Sequence, residues 1–225
     1  KTGKAFLDPA AAAELANAGW PRYYLDFEGV NPAVPRWAGT RPYQALPFQW
    51  SLHIQRADGS LEHRAYLHTA PDAPMRPAME HLLAAIGKRG TVFVYNRAYE
   101  GSVLRGMAAM FPDLAERLVA IEKRFVDLLD ITRRHYYHPD MKGSWSIKAV
   151  LPTIAPELDY ANLGEVQEGG AAQQAFLEII APGTPAERRA QLAADLERYC
   201  AQDTLAMVKL AEVFAGGKRP KVAAR

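Results

Sequence analysis

The sequence predicts an α/β domain built on a five-stranded mixed sheet flanked by helices, and three observations carry that expectation. Tyr23–Glu28 and Phe48–Gln55 alternate from one face to the other with a period of two, and Leu61–Leu67 follows across the turn Ala57–Ser60 at hairpin distance. These three runs make a leading antiparallel meander. Thr91–Tyr95 is instead a short, continuous apolar run, the pattern of a central parallel strand covered on both faces. Beyond it, stretches with apolar residues every three or four positions alternate with a further strand, giving the order β-β-β-α-β-α-β-α that a mixed sheet requires.

The elements follow in chain order. Asp8-Pro9, an alanine-rich run and Gly19 supply a cap, a first-turn proline and a stop, so residues 1–20 read as an N-terminal helical appendage. After the first strand, the proline-rich stretch Gly29–Pro47 forbids helix or central strand and reads as a long stiff loop beginning beside Glu28. In it, Arg36 and Arg41 could hold phosphates while Trp37 or Tyr43 stacks on a base, or the whole could be a structural loop. The strand Phe48–Gln55 reads as half-buried, with Gln49, Ser51 and His53 outward, and His53, His63 and His68 read as strand-surface residues rather than ligands. Met79, Leu82, Leu83 and Ile86 mark a helix within Pro74–Lys88, closed by Gly87. A helix carrying Glu100 and a second one over Leu114–Lys123 lead to a fifth strand, Arg124–Leu129. His135–Gly143 reads as a loop, Ser146–Leu151 as a short helix closed by Pro152, Glu165–Gly170 as a loop and Ala171–Ile180 as a helix. The long helix Pro185–Phe214 ends the domain at about residue 215, and 216–225 form a basic tail.

Composition bounds the partners. With 27 Lys and Arg against 25 Asp and Glu, the net charge of +2 permits a nucleic-acid partner without requiring one. The single Cys200 excludes an internal disulfide and a cysteine-based zinc site. No apolar run approaches membrane-span length and no signal peptide is visible, so the expectation is a cytoplasmic protein with no membrane partner. The chain opens on Lys1 rather than methionine, which suggests a fragment, part of a larger protein, or a processed product.

Against this background, carboxylates stand on faces that should be buried. Asp26 and Glu28 share one face of their strand, roughly 7 Å apart, with Leu25 and Phe27 on the other. On the last helix the stripe Leu192, Leu196, Tyr199, Asp203, Met207, Leu210, Phe214 is apolar but for one aspartate, with Tyr199 a turn before it. Glu100 falls on the stripe with Leu104, Met107 and Phe111. Four inward acids of like charge imply divalent cations, and an all-oxygen set suits Mg²⁺ or Mn²⁺ better than zinc. Asp127 and Asp130, at the end of the fifth strand, could substitute for Glu100 or could serve as turn and helix caps.

Asp26-Phe27-Glu28, Asn96-x-x-Tyr99-Glu100 and Tyr199-x-x-x-Asp203 resemble, in that order, the three motifs of the DEDD exonuclease superfamily, a branch of the ribonuclease-H-like fold. The tyrosine resembles the tyrosine subclass, since the position that the histidine subclass would use is Arg198. The second motif departs in ending on Glu100 where the superfamily usually has aspartate. Gly39–Gln44 and Tyr136–Gly143 are similar to an uncharacterised prokaryotic domain family placed in that superfamily. The resemblance implies a ribonuclease-H-like domain over residues 21–215 and a 3′→5′ exonuclease acting on single-stranded DNA or RNA. Asp26, Glu28, Glu100 and Asp203 would hold two Mg²⁺ or Mn²⁺ ions, and Tyr199 would orient the attacking water. Asn96, with Arg36, Arg41, Trp37 and Lys148, falls on the substrate side; Lys148 could reach a phosphate or remain solvated. Two other readings stay open: a phosphodiesterase of small nucleotides or short oligonucleotides, and a catalytically weak nucleic-acid- or protein-binding module of a larger protein.

Overall fold

The computed structural model describes residues 3–158, 164–166 and 168–216, so the tail beyond 216 lies outside the described residues. Its centre is a five-stranded mixed sheet flanked by helices. The strands are β2 (Arg22–Val30), β3 (Leu46–Gln55), β4 (Leu61–Leu67), β5 (Thr91–Val94) and β6 (Phe125–Asp127), preceded by a short β1 (Phe6–Leu7). In the sheet they stand in the order β4-β3-β2-β5-β6. β2, β3 and β4 form the antiparallel meander, and β5 and β6 add in parallel to β2. β2 is thus the middle strand, with partners on both edges.

The helices are α1 (Ala10–Ala16), α2 (Met75–Ala85), α3 (Arg97–Met110), α4 (Pro112–Glu122), α5 (Leu128–His135), α6 (Ile147–Ile154), α7 (Gly169–Ile179) and α8 (Ala186–Phe214). Period two along β3 sorts them. Phe48 stacks on Phe176 of α7 at 4.1 Å and Trp50 donates its indole N–H to the Ala78 carbonyl of α2, so α2 and α7 cover one face. Gln49, Ser51 and His53 point the other way, to α8. At 29 residues, α8 is about 44 Å long and crosses the sheet with Leu192, Leu196, Tyr199, Met207, Leu210 and Phe214 buried along the predicted stripe. α1 is capped by Asp8, whose carboxylate accepts from the Ala10 amide, and buries Ala11 and Leu15 in the common core.

Five expectations are corrected. β3 is buried on both faces rather than one, because α8 covers the polar side and brings matching polar groups with it. His53 accordingly is not a surface residue: it is buried, as is His68, while its neighbour across the hairpin, His63, reaches in to Ser51. The fifth strand ends at Asp127, and residues 128–135 are helix α5, since Asp127 accepts a hydrogen bond from the Leu129 amide and starts a new turn there. α6 runs through Pro152 to Ile154; the Ala155 amide donates to the Leu151 carbonyl, and Val150, Leu151 and Ile154 are buried, so the final turn survives the missing proline donor. The segment after α5 is also more ordered than a loop. Tyr136–Tyr137 form β7, which pairs antiparallel with β1, and Pro139–Met141 make a 3₁₀ turn.

Candidate metal centre

Asp26 and Glu28 leave β2 on the α8 face, and Asp203 meets them from α8. One carboxylate oxygen from each of the three lies within 4.8 Å of the others. Glu28 and Asp203 are buried and Asp26 is partly so. Glu28 stands just before a register shift in the β2–β3 ladder, at Gly29. A Cβ on Gly29 would lie 3.0 Å from the Tyr99 hydroxyl and 3.1 Å from the Leu46 carbonyl oxygen, so glycine permits the close approach that sets the Glu28 end of the strand.

The three acids carry like charge at close quarters, and the pKa values of Asp26 and Glu28 rise accordingly. Burial pushes Asp26 and Glu28 well above the carboxylate range, and the mutual repulsion of Asp26, Glu28 and Asp203 pushes them further. Lys148 opposes that shift from α6, with its ammonium 4.7 Å from the centroid of the Tyr199 ring. Burial and the negative field of Asp203, Glu28 and Asp26 raise the Tyr199 phenol far above its usual value, so it keeps its proton at neutral pH. Cys200 is buried, and its thiol donates to an Asp26 oxygen at 3.6 Å.

Glu100, in the first turn of α3, is 2% exposed and aimed inward as its stripe predicts, but it lies outside the triad of mutually close oxygens. Its Oε2 is buried with no hydrogen-bond partner among the described residues. Burial raises its pKa first and the Asp26 charge second, which places it in the field of the triad. Asp127, the competing candidate, is otherwise engaged. Its carboxylate accepts from the amides of Asn96, Arg97 and Leu129, joining the ends of β5 and β6 to the starts of α3 and α5. An oxygen pair with three backbone donors is a cap, and Asp130, exposed on α5, does not belong to the triad.

An open cleft of about 420 Å³ leads from solvent to Asp203 and Tyr199, with Tyr95, Asn96, Trp145 and Lys148 on its walls. Leu129, Arg133, Ser146 and Ile147 complete the lining. Asn96 holds φ at 101°, a left-handed conformation that turns the chain from β5 into α3. Of the loop residues, Arg36, Arg41 and Tyr43 are exposed, but none of them lines this cleft. Trp37 is half-buried against Phe176, with its indole N–H given to the Pro71 carbonyl, so its ring is part of the core packing. Sequence reasoning missed Tyr95, Trp145 and Arg133 as cleft residues. The inward aromatic at the end of an apolar strand was a usable signal for Tyr95, and nothing local marked the other two.

The fold and the site together define an α/β domain with a carboxylate cluster at the end of an open cleft, a candidate metal-binding protein. The chain belongs to the family described as a domain of unknown function, DUF2779, whose model matches residues 23–146. It is similar to the uncharacterized MG366 homolog of Mycoplasma pneumoniae, 26% identical over 212 residues that cover 86% of this chain and 32% of that protein. It is also similar to the uncharacterized protein UU173 of Ureaplasma parvum, 29% identical over 161 residues that cover 66% of this chain and 23% of that protein. The chain therefore spans about a third or less of the length of these relatives. No solved structure matches it significantly. Among the described residues no helix is long and apolar enough to cross a membrane.

Proposed function

We propose that this domain is a metal-dependent nuclease of the ribonuclease-H-like, DEDD type, acting as a 3′→5′ exonuclease on single-stranded DNA or RNA. The observation that carries the reading is the triad: Asp26 and Glu28 from the middle strand and Asp203 from α8 bring oxygens within 4.8 Å of one another. Like charges buried together are costly unless a cation stands between them. The order of elements supports the same reading, since a leading antiparallel meander followed by parallel strands is what the resemblance implies.

The donor set fits a hard divalent cation. It is all oxygen, and the Oε2 of Glu100, without a hydrogen-bond partner among the described residues, offers a further ligand from the α3 side. Asp26, Glu28 and Asp203 would hold Mg²⁺ or Mn²⁺, with Glu100 extending the set toward a second ion. Bound there, such ions supply Lewis acidity toward the phosphate and the attacking water. The chain's own groups do the rest. Tyr199, still protonated, positions that water through its hydroxyl and is too weak an acid to serve as a base. Lys148 faces the cleft beside Tyr199 and offers a positive charge to a phosphate. Tyr95 and Trp145 give the cleft aromatic walls against which an unpaired base can pack. An open cleft with two cations, Lys148 and Arg133, favours a strand over a small nucleotide held in a closed pocket. The domain would act as part of a larger cytoplasmic protein, in keeping with the greater length of its relatives.

The test is incubation with single- and double-stranded DNA and RNA, labelled at either end, in Mg²⁺ or Mn²⁺ and in EDTA. Stepwise shortening from the 3′ end that needs metal and is lost in Asp26→Ala supports the proposal. Turnover confined to dinucleotides would move it to the short-oligonucleotide reading, and no turnover with retained strand binding would make it a binding module.

A further inference from the structure

A second concavity, larger than the cleft at the acids, lies at the opposite end of β2. It measures about 620 Å³ and runs between the end of α2 and the last turns of α4. Tyr23 marks its position, since the Tyr23 hydroxyl accepts from the Gly87 amide on the groove's edge. Tyr23 stands five residues before Glu28, so about 17 Å of strand separates the groove from the triad.

The floor is apolar, formed by Leu83, Ile86 and Ile121. The rim carries three cations, Lys88, Arg117 and Arg124. Among the described residues none of the three has a carboxylate within ion-pair distance, in a protein where Arg56, Arg76, Arg105, Arg134 and Arg188 each do. The two arginines are instead fixed by main-chain oxygens. Arg117 donates to the Leu83 carbonyl at 2.8 Å, and Arg124 to the Arg89 carbonyl at 2.9 Å while its guanidinium lies over the Tyr23 ring at 5.7 Å. A carbonyl orients a guanidinium without neutralising it, and each fork keeps donors for a second partner. Arg124 is half-buried, and burial lowers its pKa, so its charge would gain from an anion. Glu116 is the one acid on the lining, exposed on α4.

We propose that this groove is a second binding site, for a small phosphate-bearing molecule with an apolar or aromatic body. The body would lie on Leu83, Ile86 and Ile121, and the phosphate would be taken by the Arg117 and Arg124 forks with Lys88. The proposal is independent of the nuclease reading, since no group of the acidic site takes part.

The test is calorimetric titration of the full chain with phenyl phosphate at low ionic strength in EDTA, which leaves the acidic site no metal with which to hold the anion. Inorganic phosphate and benzyl alcohol report the charge and the ring separately. Phenyl phosphate should bind at least tenfold more tightly than either fragment. Arg117→Gln combined with Arg124→Gln should weaken it at least tenfold, and Glu116→Gln should tighten it. Should the double variant melt early, Lys88→Gln with Arg117→Gln, both at exposed positions, replaces it with the same expectation. Equal affinity for phosphate and phenyl phosphate, unchanged binding in the folded variants, or no binding at millimolar phenyl phosphate would each overturn the site.

Discussion

Two polar regions lie side by side under α8, and they solve burial in opposite ways. On β3, Gln49, Ser51 and His53 pair in register with Glu28, Asp26 and Tyr24 of β2. Each β3 side chain is matched to the helix: Gln49 donates to the Leu196 carbonyl, and Ser51 and His53 both bond the Thr204 hydroxyl, at 2.7 and 2.8 Å. These groups are neutral, and burial with the neighbouring His63 lowers the His53 pKa to about 4, so its ring stays uncharged. One strand over, Asp26 and Glu28 meet Asp203 with like charge, and burial together with that repulsion raises the pKa of Asp26. The first region is complete within the chain apart from Gln49 Oε1. The second gathers like charge, which a bound cation would offset. Because the β3 contacts grip α8 at Leu196 and Thr204, on either side of Tyr199 and next to Asp203, the first region holds the second in place.

The largest expected effect lies in the acidic region. Asp26→Ala or Asp203→Ala should abolish metal-dependent hydrolysis, on the order of 10³-fold or more, with the fold retained. The metal-free variants should melt no lower than wild type, because a repulsion is relieved; circular dichroism melts in EDTA check this. Glu100→Gln should also remove most of the activity and weaken metal binding. Asp127→Asn should cost about 1–2 kcal/mol of stability through its lost cap while leaving metal affinity alone, as read by denaturant titration and calorimetry. The reverse pattern would place the fourth acidic ligand on β6.

Tyr199→Phe keeps the ring and removes the hydroxyl. The rate should fall on the order of 10²-fold with metal affinity unchanged. In the β3 region, Thr204→Val leaves Ser51 and His53 without their shared partner and should cost about 1–3 kcal/mol of stability, with Thr204→Ser restoring most of it.

How much of this could be read beforehand depended on whether the signal was local. Asp203 stood out because an acid interrupts an otherwise apolar helical stripe, and Asp26 and Glu28 because period two puts both on one face of a strand. The polar side of β3 misled for the same reason: alternation of Phe48, Trp50 and Leu52 with Gln49, Ser51 and His53 looks alike whether the polar face meets water or a helix bearing Thr204. Asp127 looked like a possible ligand because its three amide donors come from Asn96, Arg97 and Leu129, two of them distant in sequence. Tyr95 carried a local signal, but its pairing with Trp145 did not, because the two meet only through the fold, where the Tyr95 hydroxyl donates to the Trp145 carbonyl.

The smallest effects are in pH, and they have opposite signs. His53 has a lowered pKa in the folded chain, so the unfolded chain binds the extra proton between about pH 4 and 6.5, and the β3 region loses stability as pH falls through that window. Asp26, Glu28 and Glu100 have raised values, so the folded chain binds the extra protons above the usual carboxylate range. Their region of the metal-free protein therefore loses stability as pH rises. Comparing melts of wild type with His53→Gln and with Asp26→Asn across pH 4 to 8 separates the two slopes.

The central claim is that the acids of β2 and α8 bind a divalent cation. The direct measurement is the melting temperature at pH 8, where the carboxylates are most nearly ionised, with EDTA and with saturating Mn²⁺, for wild type and for Asp26→Asn with Asp203→Asn. Binding only to the folded chain stabilises it by mass action, about 2.7 kcal/mol at a hundredfold excess over Kd, a shift of several degrees. The account predicts that rise in wild type and its loss in the double variant. A wild-type melting temperature indifferent to Mn²⁺, or an equal rise in both proteins, would contradict it.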